Sequence, residues 1–576
     1  MKKNIIISSA LALMMLPAMV SCGSDYLQEE PLTGISDNTV NGSEAGADAA
    51  VTGLARQMSR QFGDLKNGNL NASGELFFRN LYGEGLSPDA NVGEITNYAS
   101  SACNPNNFRL ITGWWGAWMY DYCYSIINSA NNILSSIPES DLTQNQNWLK
   151  AQTLTFRAHA YYRLMQVYAP RWADSNNGAA YCIVLRLNAA EANEHPFNTC
   201  NEVYDQMYAD LKEAIELFKD VPEERADRGE NKFYCNAAVA KGILARFAML
   251  KNDYATAQQY AKEARADYPL MSADEYIQGF STDSDAWIWS PAMDPLGIYY
   301  WGFGPHYACN GHYVISWGYS TSMDYHLYHQ LKASDVRASL YFGPLLVDTE
   351  PEMAQKYGIT KEDFFSSDVT LQTKLGVSIT GTGSKPTGKN KDMWDFIKAY
   401  GKTFNSVRPL DIKGIYLTNT KGISLGVQYK FQGLDDGYTS CWPPYMRAEE
   451  MLLTEAEAAY MNGDAATAAN CINELMAERD ENYTLPATSG QALLDEIKLQ
   501  RKIELWGEGF SWFDYKRWGD VIERRAWNAN DLENCGGWPS TLARTYEPDF
   551  MMGWRAAIPR AEFTYNKEAD ASLVGL

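Results

Sequence analysis

The side chains that come nearest to catalytic spacing are carboxylates in the last fifth of the chain. Glu504, Glu508 and Asp514 lie close together, with Arg501 and Arg517 beside them and Leu505, Trp506, Phe510, Trp512, Phe513 and Trp518 interleaved. Two carboxyl groups about 5 to 9 Å apart across a cleft can cleave a glycosidic bond. The same residues can instead form charged pairs that lock a helix to its neighbours. The second reading is adopted, because this stretch belongs to a helical scaffold set out below. It extends to Arg157 and to Glu449, Glu450, Glu455 and Glu457. His306, His312, His326 and His329 cluster in sequence but lack HExxH or comparable metal spacing. No Gly-rich phosphate loop and no GxSxG nucleophile motif occurs. No metal or cofactor is expected.

A different chemistry is concentrated between Trp287 and Tyr328. These 42 residues hold twelve aromatics, and no Lys or Arg occurs between Arg265 and Lys332. Flat rings without cations suit neutral sugars: pyranose C–H faces stack on the rings, while Asp, Asn, His and Tyr groups bond the hydroxyls. Such a patch suits sulfated or uronic-acid glycans poorly. Trp289, Tyr325 and Tyr328 are expected in the core. The span from Tyr299 to Tyr319 is broken by glycines and a proline and reads as loop, so Tyr300, Trp301, Tyr307, Trp317 and Tyr319 are the candidate ligand contacts. A second contribution is expected from the stretch Tyr82 to Tyr98, through Asp89, Asn97 and Tyr98.

The whole chain frames these features. Its 576 residues carry 71 acidic against 49 basic side chains, a formal charge of −22. Such an acidic excess is unsuited to neutralising phosphates, which excludes nucleic acid as a main partner. A hydrophobic fraction of 45% is ample for a core and excludes wholesale disorder. Lys2 and Lys3 precede an uncharged apolar run from Ile5 to Val20, which suits a signal-peptide core. The run ends in Met19-Val20-Ser21-Cys22, which resembles a lipobox, so Cys22 is the expected lipidation site. Acyl chains on that cysteine would be the only membrane attachment. The other nine cysteines are scattered without CxxC spacing. Cys123, Cys235 and Cys471 sit in helical patterns as small core residues, although an envelope location permits disulfides.

The body reads mainly as paired helices. Trp118, Tyr122, Ile126 and Ala130 recur at helical spacing, as do Leu154, Ala158, Tyr161 and Met165, and then Tyr204, Met207, Leu211 and Ile215. The stretch Ala245 to Ala257 resembles Ala456 to Ala468 at an offset of 211 residues, with an Asn-Asp turn in one and a Gly-Asp turn in the other. Small residues at the contact and a polar turn are the logic of a tetratricopeptide hairpin. Between these blocks, helical periodicity fades and short alternating segments such as 423–431 suggest small strands. The fold class is therefore mainly α: a tetratricopeptide-like scaffold with a large loop-rich insertion carrying the ligand face and a few short strands. The expected boundaries are 1–21 signal peptide, 22–43 lipidated extension, 44–270 first part of the scaffold, 271–444 insertion, 445–530 second part of the scaffold, and 531–576 C-terminal extended segment.

Several motifs together resemble one family. Asp25-Tyr26-Leu27-Gln28-Glu29-Glu30-Pro31 follows the lipid cysteine, and Trp118-x3-Tyr122-x3-Ile126-x3-Ala130-Asn131 opens the helices. Phe156-Arg157-Ala158-x2-Tyr161-Tyr162-x-Leu164 follows, then Arg447-Ala448-Glu449-Glu450-Met451-Leu452-Leu453-x2-Ala456-Glu457-Ala458. Arg501 to Gly519 and Ile558-Pro559-Arg560-x-Glu562-x3-Asn566 complete the set. The chain thus resembles the SusD/RagB family, surface lipoproteins that cap SusC-type transporters of the outer membrane. The resemblance implies a non-catalytic protein that captures glycan, less often peptide, for a TonB-dependent transporter. The family's starch-binding prototype places a ligand tryptophan in a loop ahead of the Trp-x3-Tyr helix. Here 82–98 contains no Trp, which sets starch aside as the glycan.

The resulting expectation is a surface lipoprotein of the outer membrane that binds a neutral oligosaccharide and delivers it to a SusC-like transporter. A peptide-capturing lipoprotein of the same fold and a surface glycoside hydrolase are the alternatives.

Overall fold

The computed structural model describes residues 43–575 apart from 64–69, 79–82, 93–102, 190–193, 293–303, 309–320, 365–426, 432–440, short stretches within 222–230, 278–282, 527–541 and 548–553, and scattered single positions. Mostly helical elements surround a core that runs nearly the length of the described chain. The principal helices are α1 (Glu44–Ser59), α2 (Trp114–Ser136), α3 (Gln144–Tyr168), α4 (Cys200–Leu217), α5 (Ala237–Leu250), α6 (Tyr254–Arg265), α7 (Ala448–Met461), α8 (Ala465–Ala477), α9 (Gly490–Glu504), α10 (Ser511–Trp518) and α11 (Arg560–Tyr565).

Successive helices pack as neighbours: α2 on α3, α3 on α4, α4 on α5, α5 on α6, α6 on α7 and α7 on α8, with α9 closing against α7. Each hairpin buries one face against the next, as stacked repeats must. The helix α3 lies deepest and is buried continuously from Ala151 to Tyr168. Its charges are therefore paired inside the fold: Arg157 Nη2 with Asp210 at 2.7 Å, and Arg163 with Glu75.

The two resembling stretches fold alike. Asn252 (φ 58°) and Gly463 (φ 83°) both take the left-handed conformation that ends the first helix. The next residue caps the second helix in both: Asp253 accepts from Thr256 N and Asp464 from Thr467 N, with φ −84°, ψ 70° and φ −93°, ψ 70°. The backbone bonds Asp253 N to Ala248 O and Asp464 N to Ala459 O are each 2.9 Å.

The strands are short. We label β1 (Ala90–Val92), β2 (Trp287–Trp289), β3 (Thr321–Met323), β4 (Tyr341–Phe342), β5 (Val427–Gln428) and β6 (Met446–Arg447). A four-stranded antiparallel sheet runs β1-β3-β5-β4, while β2 pairs with β6 at the start of α7. Trp289 is fully buried and Tyr325 and Tyr328 are 8% and 1% exposed, all in the core as expected. The eight cysteines among the described residues are buried free thiols, Cys123, Cys235 and Cys471 included.

Candidate functional site

The sheet ties the two sequence-predicted ligand segments to one root. Val92, the last described residue before the stretch with Asn97 and Tyr98, is the antiparallel partner of Thr321, the first after the stretch with Trp317 and Tyr319. The neighbouring pairs are Asn91 with Ser322 and Ala90 with Met323. The chain therefore leaves β1 and enters β3 at the same end of the sheet. Asn97, Tyr98, Tyr300, Trp301, Trp317 and Tyr319 lie outside the described residues, as do Cys22, His306 and His312.

Two of the predicted contacts are corrected by their surroundings. Asp89 is 1% exposed and its groups are spent inside the fold. Its carboxylate accepts from Ser511 Oγ and from Tyr515 OH at 3.1 Å, and lies 2.9 Å from His326 Nε2. Its carbonyl accepts from Trp506 Nε1 at 3.0 Å and from Asp324 N at 2.8 Å. Burial alone raises a carboxyl pKa, but the bond and charge of His326, with Lys502 and Ser511, hold Asp89 below the usual carboxylate range. Tyr307 is 4% exposed, its ring 5.6 Å from Phe431 and 6.2 Å from Trp506. Neither offers a surface to a ligand.

His326 is the group that sequence reading did not place. Burial opposes its charge, yet bonds to Asp324 Oδ1 at 2.7 Å and to Asp89 raise its pKa to about 9. Close by, the chain passes backbone to backbone: a Cβ on Gly83 would meet the backbone of Gly509 at 2.3 Å. That approach lets Glu84 Oε1 accept from Gly509 N at 2.8 Å. Glu84 is fully buried, and burial pushes its pKa up to about 8.

The carboxylates with catalytic spacing are structural. Glu504 is fully buried among three guanidinium groups: Arg337 Nη1 at 3.2 Å, Arg447 Nη1 at 2.9 Å and Arg479 Nη2 at 3.1 Å. Burial alone would raise its pKa, but the three positive charges outweigh that and hold it far below the usual value. Glu508, 2% exposed, pairs with Lys430 Nζ at 2.7 Å and with Arg447. Asp514 joins Arg501 at 2.7 Å and Arg517 at 2.9 Å, and Arg517 reaches on to Glu457. The cluster fastens α9 and α10 to α7, to β6 and to Lys430. Among the described residues no group of His, Cys, Asp and Glu is arranged to hold a metal ion, and no helix is long and apolar enough to cross a membrane.

A model of the SusD family matches residues 306–567, and a second, described as "Starch-binding associating with outer membrane", matches residues 95–249. The chain belongs to the SusD family. Solved structures share the fold. A SusD-like carbohydrate binding protein from Bacteroides vulgatus is 20% identical with a TM-score of 0.64, over 92% of this chain and 97% of that one. A SusD superfamily protein from Bacteroides thetaiotaomicron is 17% identical with a TM-score of 0.66, over 92% and 99%. A SusD-like carbohydrate binding protein from Bacteroides fragilis is 16% identical with a TM-score of 0.57, over 92% and 99%. No curated protein matches the chain.

Proposed function

We propose that this protein is a non-catalytic glycan receptor of the cell surface. It is anchored through acyl chains on Cys22 and hands neutral oligosaccharide to a SusC-type TonB-dependent transporter. The observation that carries this reading is the Val92–Thr321 pairing, which sets the residues that flank 93–102 and 309–320 side by side at one end of the sheet. The cation-free composition of the segment between Arg265 and Lys332 supports a neutral cargo. Family membership supports carbohydrate as its class, since related proteins are described as carbohydrate binding. The engagement of Glu504, Glu508 and Asp514 in buried ion pairs supports binding without hydrolysis.

In this reading Tyr300, Trp301, Trp317 and Tyr319 stack on sugar rings, and Asn97 and Tyr98 add further contacts. Electrophoresis through gels loaded with neutral polysaccharides tests it. At least one polysaccharide should retard the protein, and Trp301→Ala should weaken that binding by about 1–3 kcal/mol, as truncation of an interface aromatic does, at an unchanged melting temperature. A large drop in melting temperature at unaltered affinity would instead place Trp301 in the core.

A further inference from the structure

The middle of α2 and the C-terminal helix α11 border a cleft of about 450 Å3. That volume lies within the range of cavities that hold a small ligand. Its floor is a closed network of hydrogen bonds. Glu562 accepts from Tyr120 OH at 3.0 Å, from Arg186 Nη2 at 2.8 Å and from Asn566 Nδ2 at 2.6 Å. The Arg186 guanidinium lies 5.0 Å from the Tyr124 ring centre, and the Tyr120 and Tyr124 rings are 4.6 Å apart. A floor this fully bonded is set before any ligand arrives.

The rim is built differently. Tyr565 is 69% exposed, the largest exposure among the big apolar side chains of the described residues. Yet the helix that carries it is clamped. Arg560 N donates to Ile111 O at 2.8 Å. Asn566, just past the helix end, bonds both the N–H and the carbonyl of His195, at 2.9 and 2.7 Å. Asn128 stands exposed on the α2 side of the same cleft. Arg186 is paired with Glu562, and among the described residues no other cationic side chain lines the cleft. An open ring on a clamped helix, a carboxamide on the facing helix and a lining whose one cation is paired match an uncharged polyhydroxylated ligand.

We propose that this cleft is a second carbohydrate subsite, taking one neutral hexose unit with its C–H face on Tyr565 and hydroxyls bonded by Asn128. The proposal rests on the glycan-binding reading for the class of ligand, and on none of the residues of the aromatic insertion.

Saturation-transfer NMR on the full chain, with D-glucose, D-galactose and D-mannose as separate probes, tests it beside the polysaccharide gels. At least one hexose should receive saturation from the wild-type protein. Tyr565→Ala should cut that transfer about tenfold, as for loss of an interface aromatic, while Tyr565→Phe keeps it. Asn128→Ala should reduce it in the same direction. The part of the signal that Tyr565→Ala removes should persist in a Trp301→Ala, Trp317→Ala double variant that no longer binds polysaccharide. Undiminished transfer in both Tyr565→Ala and Asn128→Ala, or no transfer from any of the three sugars, overturns the subsite. Gel retardation is read independently: its persistence when hexose transfer is absent removes the subsite alone, and its absence when hexose transfer is present removes the aromatic-loop reading alone.

Discussion

His326 Nε2 lies 2.9 Å from Asp89 Oδ1, across 237 residues of chain. Asp89 immediately precedes β1, and His326 follows β3 by three residues. The contact is thus a second fastening beneath the Val92–Thr321 pair. The other ring nitrogen is held 2.7 Å from Asp324, so both nitrogens face carboxylate oxygens and the charged form is favoured.

That arrangement makes stability depend on pH in a defined direction. The His326 pKa is raised to about 9 in the fold, from about 6.5 in an unfolded chain. Its contribution is complete below pH 6.5 and is lost as pH rises through 9. The loss amounts to on the order of 2–3 kcal/mol. Urea midpoints measured from pH 6 to 9.5 should fall for the native protein. In His326→Gln they should start lower and fall less steeply, most clearly between pH 8 and 9.5 where Glu84 no longer contributes, and an undiminished slope there in the variant would exclude His326 as its source.

Glu84 acts in a lower window. Its pKa is raised from 4.5 to about 8, so the folded state keeps a proton that the unfolded chain gives up. The resulting penalty is absent below pH 4.5, grows between 4.5 and 8, and is constant above. Glu84→Gln keeps an oxygen for Gly509 N and removes the penalty. The variant should match the native protein near pH 4.5 and exceed it by on the order of 2–4 kcal/mol at pH 8. Denaturation at the two pH values checks this; an equal difference at both would count against it.

The hairpin turns allow an exchange between repeats. Gly463 has φ 83°, and an added Cβ would meet nothing within 4 Å, so substitutions there act through backbone conformation alone. Asn252 occupies the equivalent place with φ 58°. Gly463→Asn should be close to neutral, whereas Gly463→Val should cost about 1–2 kcal/mol. Asp464→Ala, which removes the cap on Thr467 N, should lower the melting temperature measurably. Thermal melts of the three variants give the order directly.

Glu504 carries the largest single effect. Glu504→Ala leaves Arg337, Arg447 and Arg479 buried without their common partner, and breaking a buried charge cluster from one side costs about 3–5 kcal/mol. Guanidinium unfolding should show that loss. A drop below 1 kcal/mol would mean that the three arginines are satisfied by their remaining partners.

Much of this organisation is legible in the chain itself. Apolar spacing located the long helices, because one face of each must be buried over several turns. The Asn252-Asp253 and Gly463-Asp464 turns were readable because left-handed backbone and N-capping each restrict residue type. The ion-pair role of Glu504, Glu508 and Asp514 followed from their place in the scaffold. The fate of Asp89 was not readable. Its partners Ser511, Tyr515 and Trp506 lie more than 400 residues away, and no local period records such a meeting. Tyr307 was misplaced for a related reason: glycines and a proline mark its surroundings as loop, but its ring packs on Phe431 and Trp506 from two other segments. The surplus of Trp and Tyr around Asp514 was the available signal, since buried rings with polar tips require partners from elsewhere.

The Val92–Thr321 root also bears on how this fold can diversify. The fastening beneath it draws on Asp89, Asp324, His326, Trp506 and Ser511, none of which belongs to the segments 93–102 or 309–320. Those segments can be rewritten in sequence or length while their anchorage stays constant. A descendant lineage could then inherit the knuckle unchanged while the sequence of those two stretches varied.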